Sequence, residues 1–301
     1  MKRDHPTQSD LTKPEAFSLT LHVEKQKLEA GLYLIGTPIG NLKDITLRAL
    51  ETLASLDRLY CEDTRVTGKL LKHYGISCPL SVYTDHADEA TRRNIVEQVR
   101  SGKAVGLASD AGLPLVSDPG FKLARDLVQG DVQLISIPGP SAALTALQIS
   151  GLPSDAFTFA GFIPHKDGAR RQLFETYRAT PSTLIFYETA TRMEKSLAAI
   201  SATLGERQCV IARELTKKFE EVLRGTPAEL TSKITGHATF KGEMVLLVAG
   251  AEEVTAHKED VEALLRSALL KMSLKDAAAE VASVTGRKRK EVYALALTLK
   301  G

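Results

Sequence analysis

The stretch Leu32-Tyr33-Leu34-Ile35-Gly36-Thr37-Pro38-Ile39-Gly40-Asn41 decides the fold. A short apolar run that stops at a glycine reads as a buried strand. The Gly/Pro-rich loop behind it leads into a helix with Ile45, Ala49, Leu50, Leu53 and Leu56 near the 3.6-residue period. Asp44 is the expected N-cap of that helix. The same unit repeats downstream. Arg58–Cys61 reads as a strand ending at Glu62-Asp63-Thr64-Arg65, and Ala104–Ala108 as one ending at Ser109-Asp110. Val132–Ile137 reads as a fourth, ending at Pro138-Gly139-Pro140-Ser141, with helical patterns at Thr91–Arg100 and Phe121–Gln129. Alternating strands and helices predict an α/β domain over 31–150 with a largely parallel sheet.

Turn residues cluster at Gly151-Leu152-Pro153-Ser154, and a second α/β domain is expected over 151–250. Its strand candidates are Phe157–Phe162, Thr183–Tyr187, Cys209–Ala212 and Met244–Val248, with a helix over Arg192–Leu204. Strand signals then stop. Asp260–Met272, a segment opened by Ser273-x-x-Asp276 and broken at Gly286, and Arg287–Lys300 predict a small helical domain over 255–301. The polar residues Met1–Glu29, with little order expected up to residue 30, read as a flexible leader and lack the apolar core of a signal peptide.

Composition sets outer bounds. The 301 residues are 43% hydrophobic and carry a net charge of +2, enough apolar material for two or three packed units. The three cysteines, Cys61, Cys78 and Cys209, form no C-x-x-C pair, so a reduced, cytoplasmic chain is expected. No run is long and apolar enough to predict a membrane span. His73 and His86 have no partners at ligand spacing, and no metal is expected.

In open α/β sheets ligands bind beyond the carboxyl ends of the strands. Here those ends carry the unusual loops. The first, Gly36-x-Pro38-x-Gly40, fits neither the dinucleotide fingerprint nor the P-loop, and by itself reads equally as a tight turn. The loop Ser109–Gly120 holds two Asp-containing turns and is long for a structured surface loop, which favours binding over mere connection. Ser141 serves as a helix N-cap, a ligand contact or both.

Taken together and in order, Thr37–Leu42, Glu62–Arg65, Ser109–Gly120 and Pro138–Ala142 resemble the tetrapyrrole-methylase superfamily. Gly151–Asp155, Phe186–Glu188, Ala212–Lys217 and Lys241–Val245 extend the resemblance, which is strongest to its ribosomal RNA small subunit methyltransferase I family. It implies two α/β domains with a cleft between them for S-adenosylmethionine, and a homodimer. The implied reaction is methylation of a cytidine ribose 2′-hydroxyl in the decoding region of 16S rRNA, as naked RNA or in the 30S subunit. It places cofactor contacts on Ile39, Asp110, Leu113, Ser141, Ala142, Tyr187, Ala212 and Gly242.

The reaction is an in-line displacement, for which positioning does most and a base helps a weak hydroxyl nucleophile. Glu62, Asp63 and Arg65, at one strand end, are candidates for proton acceptor and phosphate holder, or else a structural ion-pair cluster. Tyr187-Glu188 and Arg213-Glu214 raise the same choice. RNA contacts are expected at Arg170 and Arg171, in a basic loop with His165-Lys166, and at Arg287, Lys288, Arg289 and Lys290. Four cations at a helix N-terminus oppose its dipole unless an anion answers them. Residues 255–301 hold nine Lys/Arg against six Asp/Glu, so this segment carries +3 and the remainder −1. Two rival readings stay open: a methylase of a tetrapyrrole or other small molecule, which has no need of a basic tail, and a non-catalytic RNA-binding ribosome-assembly factor, which has no need of the cofactor-type loops.

Overall fold

The computed structural model describes residues 25–236, 240–251 and 258–300. The chain divides into two compact units at Pro140/Ser141.

In the first unit the order is β1 (Gly31–Ile35), a 3-10 turn (Leu42–Asp44), α1 (Leu47–Ser55), β2 (Arg58–Cys61), α2 (Thr64–His73) and β3 (Leu80–Val82). Then come α3 (Glu89–Arg100), β4 (Ala104–Ala108), α4 (Phe121–Gln129) and β5 (Leu134–Ile137). The sheet runs β3-β2-β4-β1-β5, every pair parallel. Strand alternation feeds two cores. Tyr33 and Ile35 pack with Leu50 and Leu53 of α1 and Leu70 and Leu71 of α2. Leu32 and Leu107 pack on the other face with Ile95 and Val99 of α3 and Leu123 and Leu127 of α4. With all strands parallel, every strand-end loop emerges at one edge of the sheet, which is what builds a site there.

Local capping departs from expectation. Asp44 ends the 3-10 turn, and Thr46 caps α1 by accepting from the Ala49 amide at 3.1 Å. The helix α2, with no apolar residue before Val66, begins where Asp63 caps it. The strand β3 is three partly exposed residues, too short to show a period. Residues 1–24 of the expected leader lie outside the described residues. From Lys25 onward the chain belongs to the first unit: Leu28 packs against the α1 core and the Tyr33 hydroxyl donates to Glu29 O at 2.9 Å.

The second unit begins with α5 (Ala142–Ser150), β6 (Phe157–Phe162), α6 (Asp167–Thr176), β7 (Thr183–Thr189), α7 (Ala190–Leu204) and β8 (Cys209–Arg213). It continues with β9 (Glu221–Gly225), α8 (Pro227–Thr235) and β10 (Glu243–Val248). Its sheet, β6-β7-β10-β8-β9, has one parallel pair, β6–β7, and is otherwise antiparallel. Leu184, Phe186, Ile211, Met244 and Leu246 face α6, α7 and α8, in a core with Phe174, Leu197 and Leu230. The helix α5 packs on β7, β8, β9 and β10. Its buried Ala143, Ala146 and Leu147 make it part of this unit, which is why the division falls at 140 and not at 150. At the C-terminus α9 (Lys258–Leu269), α10 (Leu274–Thr285) and α11 (Arg289–Lys300) share a core of Val261, Leu265, Ala278, Val281, Val292 and Ala296. Ser273 caps α10 by accepting from the Asp276 amide at 3.2 Å, and Gly286 closes it in the left-handed conformation.

Candidate active site

In the first unit three strand-end loops are drawn together by backbone contacts. Thr37 and Gly112 exchange amide hydrogen bonds of 2.8 and 3.1 Å, and the buried Thr37 hydroxyl donates to Ser109 O at 3.2 Å. Behind them Gly36 lies against Gly139: a Cβ on Gly36 would sit 2.7 Å from the Gly139 N and Cα. Only glycine permits that approach. Leu113 packs over Gly36, and Ile39, 7% exposed, lies beside Gly112. The expected contacts Ile39 and Leu113 therefore meet in one small cradle. Leu115 and Ser117 hold positive φ of 71° and 65° in the same loop, a strained backbone, with Leu115 packed against Gly120 and the core around Leu107.

Asp110 is exposed at the rim of the cradle, and its Oδ1 accepts from the Asp63 amide at 3.2 Å. The structure separates the three catalytic candidates. Asp63 accepts from the Arg65 amide at 2.8 Å as the cap of α2, and it binds the Arg65 guanidinium through Nε and Nη2 at 3.0 and 2.6 Å. Those hydrogen bonds hold its carboxyl down at about 2, which makes it a poor proton acceptor. Glu62 is the opposite. Burial, then the negative charges of Asp118 and Asp110, push its carboxyl up to about 7, outweighing a hydrogen bond from the Asp110 backbone. Asp118 lies in the long loop Ser109–Gly120 but outside the expected site residues, and its carboxyl is pushed up to about 6, chiefly by burial. Its sequence signal is Asp-Pro-Gly, which reads as plain turn chemistry.

In the second unit Tyr187, Val245 and Ala212 lie in one cross-strand row over β7, β10 and β8. Gly242, at φ 103°, leads into β10, and a Cβ there would strike the Glu214 carboxylate. That carboxylate accepts from Lys217 Nζ at 2.9 Å and from the Glu243 amide at 3.1 Å. Ser141 occupies the N-cap position of α5 without a side-chain capping bond, and Ala142 is the first helical residue. The neighbouring charges in sequence do not pair with each other. Arg213 binds Glu221 at 3.0 Å, and the buried Glu188 binds Arg192 at 2.5 Å.

Among the basic candidates Arg170 is corrected. Residues 167–176 form the helix α6 rather than a loop, and Arg170 shares its inward face with Phe174 and is only 2% exposed. It cannot meet RNA directly, whereas Arg171, His165 and Lys166 are exposed. Lys288, Arg289 and Lys290 are exposed around the start of α11, with Arg287 half-buried. Among the described residues no group of three or more His, Cys, Asp or Glu is placed to hold a metal ion. Likewise no described helix is long and apolar enough to cross a membrane.

The family profile of tetrapyrrole (corrin/porphyrin) methylases matches residues 31–231, and that of the RsmI C-terminal HTH domain matches residues 255–300. The chain is 50% identical over 275 residues to a protein of Erythrobacter litoralis named ribosomal RNA small subunit methyltransferase I, covering 91% of this chain and 97% of that one. A protein of the same name from Escherichia coli O157:H7 is 42% identical over 286 residues, covering 93% and 99%. The fold is also that of a uroporphyrin-III C-methyl transferase from Thermus thermophilus, solved with S-adenyl homocysteine, at 18% identity and a TM-score of 0.51 over 73% of this chain and 97% of that one. Two profiles that together span both compact units, and relatives matched over nearly their whole length, establish that the chain belongs to the tetrapyrrole methylase family and, within it, to the ribosomal RNA small subunit methyltransferase I family.

Proposed function

We propose that this protein methylates the 2′-hydroxyl of a cytidine ribose in the decoding region of small-subunit rRNA, acting in the cytoplasm as a homodimer, with S-adenosylmethionine as methyl donor. The observation that carries the chemistry is the joining of strand-end loops through Thr37–Gly112 and Gly36–Gly139, with the end of β2 tied to the same loop where Asp110 accepts from the Asp63 amide and its backbone hydrogen-bonds Glu62. The cradle suits an adenosyl group: the Gly36–Gly139 contact locks two strand-end loops together, and Ile39 and Leu113 supply apolar surface beside it. Asp110 is exposed and negative, suited to the cationic methionine end. In the second unit the Ser141 hydroxyl, Tyr187, Ala212 and the backbone at Gly242 are the expected further contacts. When bound, the donor supplies an electrophilic methyl on a sulfonium. Glu62 takes up the ribose hydroxyl proton on a carboxylate oxygen, a role that a group poised near 7 performs better than Asp63 at about 2. Arg65, mostly in solvent but tied to Asp63, orients the end of α2.

The test is transfer of labelled methyl to small subunits, and to naked rRNA, from cells that lack the modification. Label must appear in RNA and map to a ribose. Label on a base would overturn the 2′-O assignment. Transfer only to a tetrapyrrole, or to nothing, would favour the rival readings. The basic tail gives a separate expected outcome. Replacing Arg287, Lys288, Arg289 and Lys290 with Ala weakens RNA binding about tenfold or more and flattens the slope of log K against log salt by roughly 2–3. Affinity for the methyl donor stays unchanged, as titration of each ligand checks.

A further inference from the structure

The exposed ring of Phe162 is unusual for its place. Phe162 ends the edge strand β6 with 56% of its surface in solvent, beyond four partly buried residues, with Phe157 exposed at the other end. Simple alternation from Phe159, which lies on the Tyr187 face, would turn residue 162 into the opposite core beside Ala160. The ladder is broken before it gets there. Phe159 pairs with Ile185 and Phe162 with Tyr187, so β6 carries one extra residue, a bulge at Ala160-Gly161 with Gly161 at φ 70°. The bulge returns Phe162 to the Tyr187 face, with ring centroids 5.3 Å apart, edge to face, and leaves the next residue, Ile163, to fill the core. Bulges are common on edge strands such as β6 and beside active sites, and in both places they re-aim a side chain.

The segment beyond Phe162 is cationic and held rigid from beneath. The Ile163 amide donates to Tyr187 O at 3.2 Å, and Arg192, anchored on the buried Glu188, donates to Ile163 O at 3.1 Å. The buried Arg170 donates to His165 O at 3.1 Å and to the Asp167 carboxylate at 2.7 Å. Two interior guanidiniums thus fix a short loop whose exposed side chains include His165 and Lys166, with Arg171 exposed on the next helix.

An exposed aromatic ring followed by exposed cations on a loop whose backbone is anchored is the recognition chemistry of unpaired nucleotides, where a base stacks on the ring and cations take the phosphates. We propose that Phe162 is a stacking platform for an unpaired base of the RNA substrate, that Lys166 and Arg171 hold its phosphates, and that Arg170 is the positioning residue of this loop. The proposal rests on an RNA substrate and adds where and how that RNA is gripped.

The chain contains no tryptophan, so Phe162→Trp introduces a lone indole reporter. With S-adenosylhomocysteine held saturating, because residue 162 packs on the expected donor contact Tyr187, its fluorescence is expected to quench further on addition of unmodified small subunits. Phe162→Ala is expected to raise KM for RNA roughly 5- to 100-fold, with a clearly smaller change in donor KM through the lost contact with Tyr187, and Phe162→Tyr to restore the KM for RNA. Arg170→Met is expected to raise KM for RNA in the same way, with Arg170→Lys a partial rescue. Four results would overturn the proposal: no further quenching by small subunits once S-adenosylhomocysteine is saturating, an unchanged KM for RNA in Phe162→Ala, equal loss in Phe162→Ala and Phe162→Tyr, or a changed association state of free Phe162→Ala. An unaltered protein that transfers no methyl to RNA marks failure of the functional reading itself, which these variants leave distinct.

Discussion

Glu62→Gln is expected to lower kcat by about 10²- to 10⁴-fold, with affinity for the methyl donor held within about twofold. The amide keeps the size of the side chain and still accepts the hydrogen bond from the Asp110 backbone, but it cannot take a proton. In the unaltered protein kcat/KM should rise with pH through about 7. The limb should be broader than one ideal titration, because Asp118, pushed up to about 6, shares the same negative field. The rising limb should vanish in Glu62→Gln. Stability makes an independent check with a definite sign. A carboxyl raised from its ordinary value to about 7 binds its proton more tightly folded than unfolded. Its favourable contribution is complete below the ordinary carboxylate range and is lost as pH climbs through 7. Glu62→Gln should therefore melt higher than the unaltered protein at pH 8, by an amount on the order of 1 kcal/mol once solvent screening is allowed for. The gap should close by pH 4. Loss of activity with no change in the pH profile of the remainder would assign the proton to another group.

Gly36→Ala and Gly139→Ala are expected to cost about 2–4 kcal/mol each and to weaken donor binding at least tenfold. The reason lies in what the new methyl meets. On Gly36 it would fall 2.7 Å from the Gly139 backbone, and on Gly139 2.8 Å from the Gly36 Cα. Neither contact has a side chain that can rotate away, so β1 and β5 must part at their carboxyl ends, where the cradle is built. Gly168→Ala is the control, because a Cβ there meets nothing within 4 Å. Calorimetric melting temperatures and titration with S-adenosylhomocysteine check both parts. Melting temperatures equal to the control's would show that the loops separate freely and that the cradle is not preorganised.

Much of this molecule was legible before any coordinates. The strands over Arg58–Cys61 and Ala104–Ala108 stand where their sequence puts them because each is a mostly buried run bounded by turn chemistry, and Phe157–Phe162, a half-exposed edge strand, is marked by its aromatic residues between turns. The strands β3 and β9 are short and half-exposed, which leaves little alternation to read, whereas α2, α6 and α8 are helices of nine or ten residues that bury only two or three positions each. The loop residues Ile39, Asp110 and Leu113 were visible as a Gly/Pro-rich pattern at strand ends, and their order along the chain pointed to the family.

What the sequence by itself determined is the parallel α/β plan of the first unit, the basic helical tail and the kind of loops that edge the sheet. Tertiary structure alone decided what individual groups do. Glu62 and Asp63 are adjacent carboxylates, yet one is lifted to about 7 by burial and by Asp118, Asp110 and Asp85, and the other is held at about 2 by Arg65. Arg170 and Arg171 are adjacent cations, yet the helical turn buries the first beside Phe174 and leaves the second in water. The bulge at Gly161 turns Phe162 outward against the strand period. In each case the deciding term, desolvation, a distant charge or a break in register, comes from groups brought close only by folding. Local residue types therefore announce the kind of chemistry, and the fold assigns it to particular atoms.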